Sequence, residues 1–182
     1  VEVNRFLAGK RGYSVIAESG DMLFAGLDVR VGRGGGYLAQ GYYASMGFGV
    51  PGALGSELGT GQRPIVLCGD GAFQMTGLEI AQAPRYGLRP IVVLMNNGGW
   101  GIFRPIAERE DLLTIPDWPY AELARCWGGQ GYVAETVGEI FQKAETFVVI
   151  ETRVGYHDLS PVSRKYITAS ARKGRIKASS PA

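Results

Sequence analysis

The sequence predicts an α/β fold in three layers, α/β/α, with a mainly parallel sheet held between helices. Three observations carry that expectation. Short runs rich in Val, Ile and Leu alternate with helix-length segments, the pattern of strands joined by covering helices. The strongest apolar runs end in polar tips bounded by glycine, as in Ile65-Val66-Leu67-Cys68-Gly69-Asp70-Gly71. With 182 residues, 46% hydrophobic and 20% charged, the chain has the size of one domain and enough apolar surface for a sizeable core.

Taken in order, strands are expected over residues 14–17, 65–68, 91–95 and 147–150, with a shorter one at 132–133. Helices are expected before Lys10 and across residues 51–58, 75–86, 119–127 and 137–144. Asp117 stands two residues ahead of Pro119 as an N-terminal signal, and Gly128 lies just past the end of that helix. Pro84 falls near the last turn of the 75–86 helix and should kink or shorten it. The domain is expected to span residues 1–162, followed by a basic C-terminal tail over 163–182.

That tail holds Arg164, Lys165, Arg172, Lys173, Arg175 and Lys177 and no acid, so the rest of the chain is net acidic although the whole carries +2. A polybasic arm for nucleic acid is one reading. Only Tyr166 interleaves with the charges, which favours a solvated tail and no nucleic-acid partner. Cys68 and Cys126 form no C-x-x-C pair, which points to a reducing cytoplasm with buried thiols. No basic start followed by an apolar stretch appears, and no apolar run has membrane-spanning length; the chain begins at Val1, so a lost leader stays open.

Several chemistries fall away early. His157 is the only histidine, so no His-based zinc motif exists, and a structural role is favoured for it over a nucleophilic triad. Gly47-Phe48-Gly49-Val50-Pro51-Gly52 matches G-x-G-x-x-G, but it follows no convincing strand and contains a proline. Gly34-Gly35-Gly36 lacks the Lys and Ser/Thr of a phosphate loop and reads as a mobile loop.

The informative pair of segments is Gly69-Asp70-Gly71-Ala72 and Asn96-Asn97-Gly98-Gly99. A β-α-β unit brings both to one carboxyl edge, because the intervening helix runs back roughly as far as the second strand climbs, at ~1.5 and ~3.3 Å per residue. Asp70 and Asn97 then offer hard oxygen ligands, too few for a protein-only cage. Magnesium commonly completes its octahedron with water and substrate phosphates, so a phosphate should supply the rest. Glycines around Asp70 permit close approach, and the next helix points free N–H groups at the same place.

At these residues the chain resembles the diphosphate-binding domain of thiamine diphosphate-dependent enzymes. The resemblance implies that Asp70, the Asn97 side chain and the Gly99 carbonyl hold Mg²⁺, and that Gly69, Gly71 and Ala72 meet the diphosphate. Glu18-Ser19-Gly20-Asp21 is similar to the family's loop after the first strand, which places Gly20 and Asp21 at the diphosphate. Ala44-Ser45-Met46-Gly47-Phe48-Gly49-Val50-Pro51 is similar to the segment supporting the cofactor rings. There Met46 would be the apolar wedge between the rings, with core packing as its plainer role, and the Ala44 carbonyl would accept from the aminopyrimidine.

Within that family, residues 18–24, the Asn96-Asn97 motif and Asp158-Leu159-Ser160-Pro161 are similar to non-oxidative 2-oxo acid decarboxylases of the pyruvate, indolepyruvate and phenylpyruvate type. The resemblance implies loss of CO₂ from a 2-oxo acid and release of an aldehyde, the cofactor carrying the hard chemistry. It also implies a partner: the glutamate that activates the cofactor belongs to a pyrimidine-binding domain, in the same longer chain or in a separate subunit. This chain alone should be inactive, and a homo-oligomer is expected. Where pyruvate decarboxylase-like enzymes carry a glutamate four residues after the position of Gly99, this sequence has Phe103. Another acid, from the missing domain or Glu108, would then deliver the proton; otherwise a carboligase of the acetolactate synthase sort results. A non-catalytic phosphate-binding module is the reading from another class. Trp100 and Phe103 either line an apolar pocket, favouring aromatic or long-chain 2-oxo acids, or pack the next helix.

Overall fold

A computed structural model describes residues 2–134 and 145–178. Its sheet has six strands, all parallel: β1 (Tyr13–Ala17), β2 (Tyr37–Ala39), β3 (Arg63–Gly69), β4 (Ile91–Asn96), β5 (Gln130–Val133) and β6 (Val148–Arg153), in the order β2-β1-β3-β4-β6-β5. Successive side chains point to opposite faces of a strand, and the core divides accordingly. Ile16, Val66, Cys68, Val92, Leu94 and Val149 pack beneath α3 (Gly49–Thr60), α4 (Asp70–Thr76) and α5 (Tyr120–Cys126). Val15, Ile65, Leu67, Ile91, Val148 and Ile150 face the layer containing α1 (Glu2–Leu7) and α2 (Asp21–Ala25). Burying each such aliphatic side chain contributes roughly 1.5–3 kcal/mol, so both faces of the central strands hold the three layers together.

Strand order fixes where a ligand can bind. The connection from β1 leads outward to β2, whereas the connection from β3 leads the other way to β4. In open α/β sheets the crevice at such a reversal, beyond the carboxyl ends of the strands, is the binding position. Here it lies between Glu18-Ser19-Gly20 after β1 and Asp70 after β3. Register completes the arrangement: Gly69 lies opposite Met95, so Asp70 and Asn97 leave neighbouring strands on the same side.

The expected strands and the helices at residues 51–58 and 119–127 are present with small shifts of boundary. The segment expected as one helix over 75–86 is corrected: α4 starts at Asp70, and Gly77–Tyr86 tightens to 3₁₀ geometry. The change of pitch falls where the Phe73 ring lies over Gly77, 2.5 Å from the place a Cβ would take. Asp117 does not cap α5; it accepts from the Asn96 amide at 2.9 Å. Cys68 is buried, but Cys126 is exposed on the side of α5 opposite buried Ala121 and Ala124, so only one thiol is inside. The helix expected at 137–144 lies outside the described residues.

Residues 161–178 form one helix, α6 (Pro161–Ala178), crossing the boundary drawn at residue 162. Ser160 caps it, its hydroxyl accepting from the Ser163 N–H at 3.2 Å. Buried Ile167 and the Phe24–Tyr166 ring pair, 5.0 Å between centroids, seat the first turns against α2. No helix among the described residues is long and apolar enough to cross a membrane.

Candidate functional site

The cleft at the strand-order reversal is lined by Gly20, Asp21, Met46, Gly69, Asp70, Gly71, Ala72, Asn97 and Gly99, together with Ser19 and Trp100. Asp70 ties its two main loops together. One carboxylate oxygen accepts from the Gly71 N–H at 2.8 Å and the other from the Gly99 N–H at 3.0 Å. Burial pushes the Asp70 carboxyl above its ordinary value against the pull of these N–H groups. Nearby, the Asn97 side-chain oxygen is buried and has no hydrogen-bond partner, a state that costs roughly 1–3 kcal/mol unless something satisfies it.

The loop after β4 is held from several directions. Trp100 N–H donates to the Leu113 carbonyl at 2.9 Å, and Ile115 N–H donates to Gly98 at 3.2 Å. Gly99 sits at φ +154°, where a Cβ would collide with the Leu113 carbonyl, so only glycine fits. Its own carbonyl accepts from Gly101 N–H at 2.9 Å. Behind the loop, Arg104 is 8% exposed, donates from Nη2 to the Asn97 carbonyl at 3.1 Å, and stacks 3.2 Å from the Tyr156 ring centroid. Asn96 turns away from the cleft. Its amide donates to Asp117 and to buried Glu151, both at 2.9 Å, while its oxygen accepts from Gly98 N–H at 3.2 Å.

On the other wall, the Asp21 carboxylate accepts from the backbone and hydroxyl of Ser160. The two motifs at residues 18–24 and 158–161, far apart in sequence, therefore meet in space. Met46 reaches the cleft from a segment held at three points: Ser19 Oγ donates to the Ala44 carbonyl at 2.6 Å, Thr76 Oγ1 donates to the Gly47 carbonyl, and Gly49 N–H donates to Glu18 at 2.6 Å. Ala44 itself is not among the cleft-lining residues. It is the one non-glycine residue with positive φ among those described, at 52°. Such a conformation marks a backbone fixed by its surroundings.

Trp100 lines the cleft with its ring packed on Gly71, where a Cβ would come within 2.6 Å of it. Phe103 is 45% exposed and is not part of the lining. Glu108 is exposed, and His157 is exposed with Tyr156 set edge-on against it. Sequence reasoning missed the roles of Glu18, Ser19, Thr76, Asn96 and Arg104. Only for Asn96 was a signal present, since strand alternation places it on the Val92–Leu94 face.

The donor set at the cleft is a carboxylate, an unpartnered amide oxygen and a backbone carbonyl, which suits a hard divalent cation sharing its shell with phosphate oxygens. Among the described residues there is no cluster of three or more His, Cys, Asp or Glu. The family described as thiamine pyrophosphate enzyme, C-terminal TPP binding domain, matches residues 15–152. The chain is 34% identical over 177 residues to an indole-3-pyruvate decarboxylase of Azospirillum brasilense, covering 93% of this chain and 32% of the relative. It is 33% identical over 133 residues to pyruvate decarboxylase 3 of Oryza sativa subsp. indica, covering 69% and 22%. To an alpha-keto-acid decarboxylase of Mycobacterium avium it is 31% identical over 134 residues, covering 71% and 24%. The chain thus spans a third or less of the length of these curated relatives.

Proposed function

The chain belongs to the thiamine pyrophosphate enzymes as their C-terminal cofactor-binding domain, and from that premise we propose that it forms the diphosphate- and Mg²⁺-binding part of a 2-oxo acid decarboxylase. The observation that carries the metal assignment is the buried, unpartnered Asn97 oxygen in the same cleft as the buried Asp70 carboxylate. In this reading Asp70, Asn97 and the Gly99 carbonyl hold Mg²⁺, and the backbones of Gly71 and Ala72 meet the diphosphate. A divalent cation would also relieve the cost of burying the Asp70 charge. Met46 supports the cofactor rings, and Ala44 offers its carbonyl to the aminopyrimidine beside the Ser19 hydroxyl.

When bound, thiamine diphosphate supplies the ring that takes up the electron pair released as CO₂ leaves. The residues of this chain fix its phosphate end, exclude water with the Trp100 ring, and set the wedge. The proton for the carbon that has lost CO₂ would come from the pyrimidine-binding domain or from Glu108, because Phe103, at the position of the family's glutamate, has no acid to give. A pyrimidine-binding domain, from the same longer chain or another subunit of a homo-oligomer, completes the site. The decarboxylase names of the relatives favour release of an aldehyde over carboligation, and Trp100 at the cleft favours an aromatic or long-chain 2-oxo acid. A cytoplasmic location accords with such an enzyme.

The test is made on the complete protein. Stripped of metal, it should bind thiamine diphosphate only after Mg²⁺ is restored. With phenylpyruvate, indolepyruvate and pyruvate, mass spectrometry should identify phenylacetaldehyde or indoleacetaldehyde as the main product. Coupled hydroxyketones alone, formed with an acceptor aldehyde, would overturn the decarboxylase reading.

A further inference from the structure

Glu18 is fully buried at the end of β1, yet it does not line the cleft. Its carboxylate accepts from its neighbour Ser19 N–H at 2.7 Å and, across the chain, from Gly49 N–H at 2.6 Å. Gly49 opens α3 and closes the segment from Ala44 that carries Met46. The approach depends on glycine, since a Cβ at Gly49 would come within 2.8 Å of the carboxylate and 3.1 Å of Val66. A buried carboxylate is costly unless its oxygens are occupied by donors, and both oxygens here accept a backbone N–H. One of those bonds fixes the turn into the diphosphate loop. The other fixes the far end of the ring-supporting segment.

We propose that Glu18 is a positioning residue that couples the loop after β1 to the Ala44–Gly49 segment and so sets the cleft's preference for the thiamine ring system over a bare diphosphate. The inference rests on the cofactor assignment above. Its physical content is a division of labour within the cleft. The phosphate end is held by Asp70, Asn97, Gly71 and Ala72, none of which bonds to Glu18, whereas Met46 lies between the anchors at Ser19, Thr76 and Glu18. Glutamine cannot replace the carboxylate, because its amide would turn a donor toward one of two N–H groups. One of those groups would be left without a partner in a buried place. The Thr76 hydroxyl acts on the same segment from α4, through the Gly47 carbonyl.

The experiment compares two ligands on the complete protein, by calorimetry at saturating Mg²⁺: thiamine diphosphate and inorganic diphosphate. In Glu18→Gln the affinity for thiamine diphosphate should fall about tenfold or more, as loss of one buried hydrogen bond implies, with that for inorganic diphosphate changed little. Thr76→Val should show the same selective loss, and it carries the comparison if Glu18→Gln fails to fold. Parallel weakening of both ligands, or no weakening of either, would overturn the positioning role while leaving the cofactor assignment standing. An unmodified protein that binds neither ligand would instead sink the assignment, and the inference with it.

Discussion

The two ends of the same sheet are built by different rules. At the amino edge, Glu57 in the last turn of α3 accepts from the Arg89 N–H with both carboxylate oxygens, at 3.1 and 3.0 Å. Arg63, at the start of β3, donates to the carbonyls of Arg89 at 2.6 Å and Thr146 at 3.2 Å. The positive-φ glycines there, Gly12, Gly61 and Gly87, have open space where a Cβ would go. They are turns and nothing more. At the carboxyl edge, Gly99 and Gly47 combine positive φ with crowding, Ala44 holds a left-handed conformation, and Asn97 and Arg104 carry buried polar atoms without partners. Ser14, near the amino end of β1, and Ser163, in the first turn of α6, each also leave a buried hydroxyl unpartnered. What the difference teaches is that the amino edge pairs its charged groups internally, whereas the carboxyl edge leaves the buried Asn97 oxygen unpaired in a cleft.

The largest effect that sharpens this contrast is expected at Asp70. In the complete protein, Asp70→Ala removes the only charged group of the expected metal set. Deleting one partner of a buried charge pair costs roughly 3–5 kcal/mol, so Mg²⁺-dependent binding of thiamine diphosphate should weaken by about two orders of magnitude or more. Circular dichroism should show the fold retained, because the Asp70 carboxylate bridges loops and does not pack the core. Equal binding by both proteins in calorimetry would break the contrast, leaving the carboxyl edge as closed as the other.

The fold was legible where apolar runs are long. β1, β3, β4 and β6 announce themselves because central parallel strands need continuous burial. β2 did not, because Tyr37–Ala39 is a three-residue edge strand, partly exposed and preceded by a glycine run. α2 has five residues, too few for helical periodicity to register. Of the cleft, the loops after β3 and β4 were legible because glycine-bounded polar tips end the two strongest apolar runs, and the structure brings both loops to one cleft. The supports were not: Glu18 with Gly49, Thr76 with Gly47 and Arg104 with Tyr156 are pairings set by packing, with no local spacing to reveal them. Asn96 and Asn97 are identical letters with opposite duties, and the period of two along β4 separates them.

A smaller effect is expected from Phe103→Glu, which asks whether the carboxyl edge lacks a proton donor as well as a ligand. Phe103 is 45% exposed, so the new carboxylate would keep contact with water and avoid the cost of burying a charge. The rate of aldehyde formation should rise severalfold if proton delivery limits turnover. The gain should stay below the roughly 10²–10⁴ that a well-placed general acid supplies, since Phe103 does not line the cleft. An unchanged rate of aldehyde formation would assign the proton to another group.

The smallest effect belongs to the amino edge and tests whether it serves stability alone. Burial pushes the Glu57 carboxyl above its ordinary value of 4.5, outweighing the Arg89 N–H and the attraction of Arg89 and Arg63. The folded chain therefore keeps a proton that the unfolded chain releases near pH 4.5. Stability contributed at this site is flat below that pH, falls as pH rises through the interval up to the folded value, and is flat again above it. Each unit in that interval is worth about 1.4 kcal/mol. Glu57→Gln keeps an oxygen for the Arg89 N–H and has nothing to titrate. Other buried carboxyls, Glu18 and Asp70 among them, titrate in the same direction, so the informative quantity is the difference between the two proteins in urea denaturation across pH 4–7. The unmodified protein should lose stability relative to Glu57→Gln as pH climbs from 4.5. Thiamine diphosphate affinity should be the same in both, because Glu57 stands at the opposite end of the strands from the cleft. A difference that runs the other way would mean that Arg63 and Arg89 outweigh burial at Glu57, and a change in affinity would show that the two edges are coupled through α3.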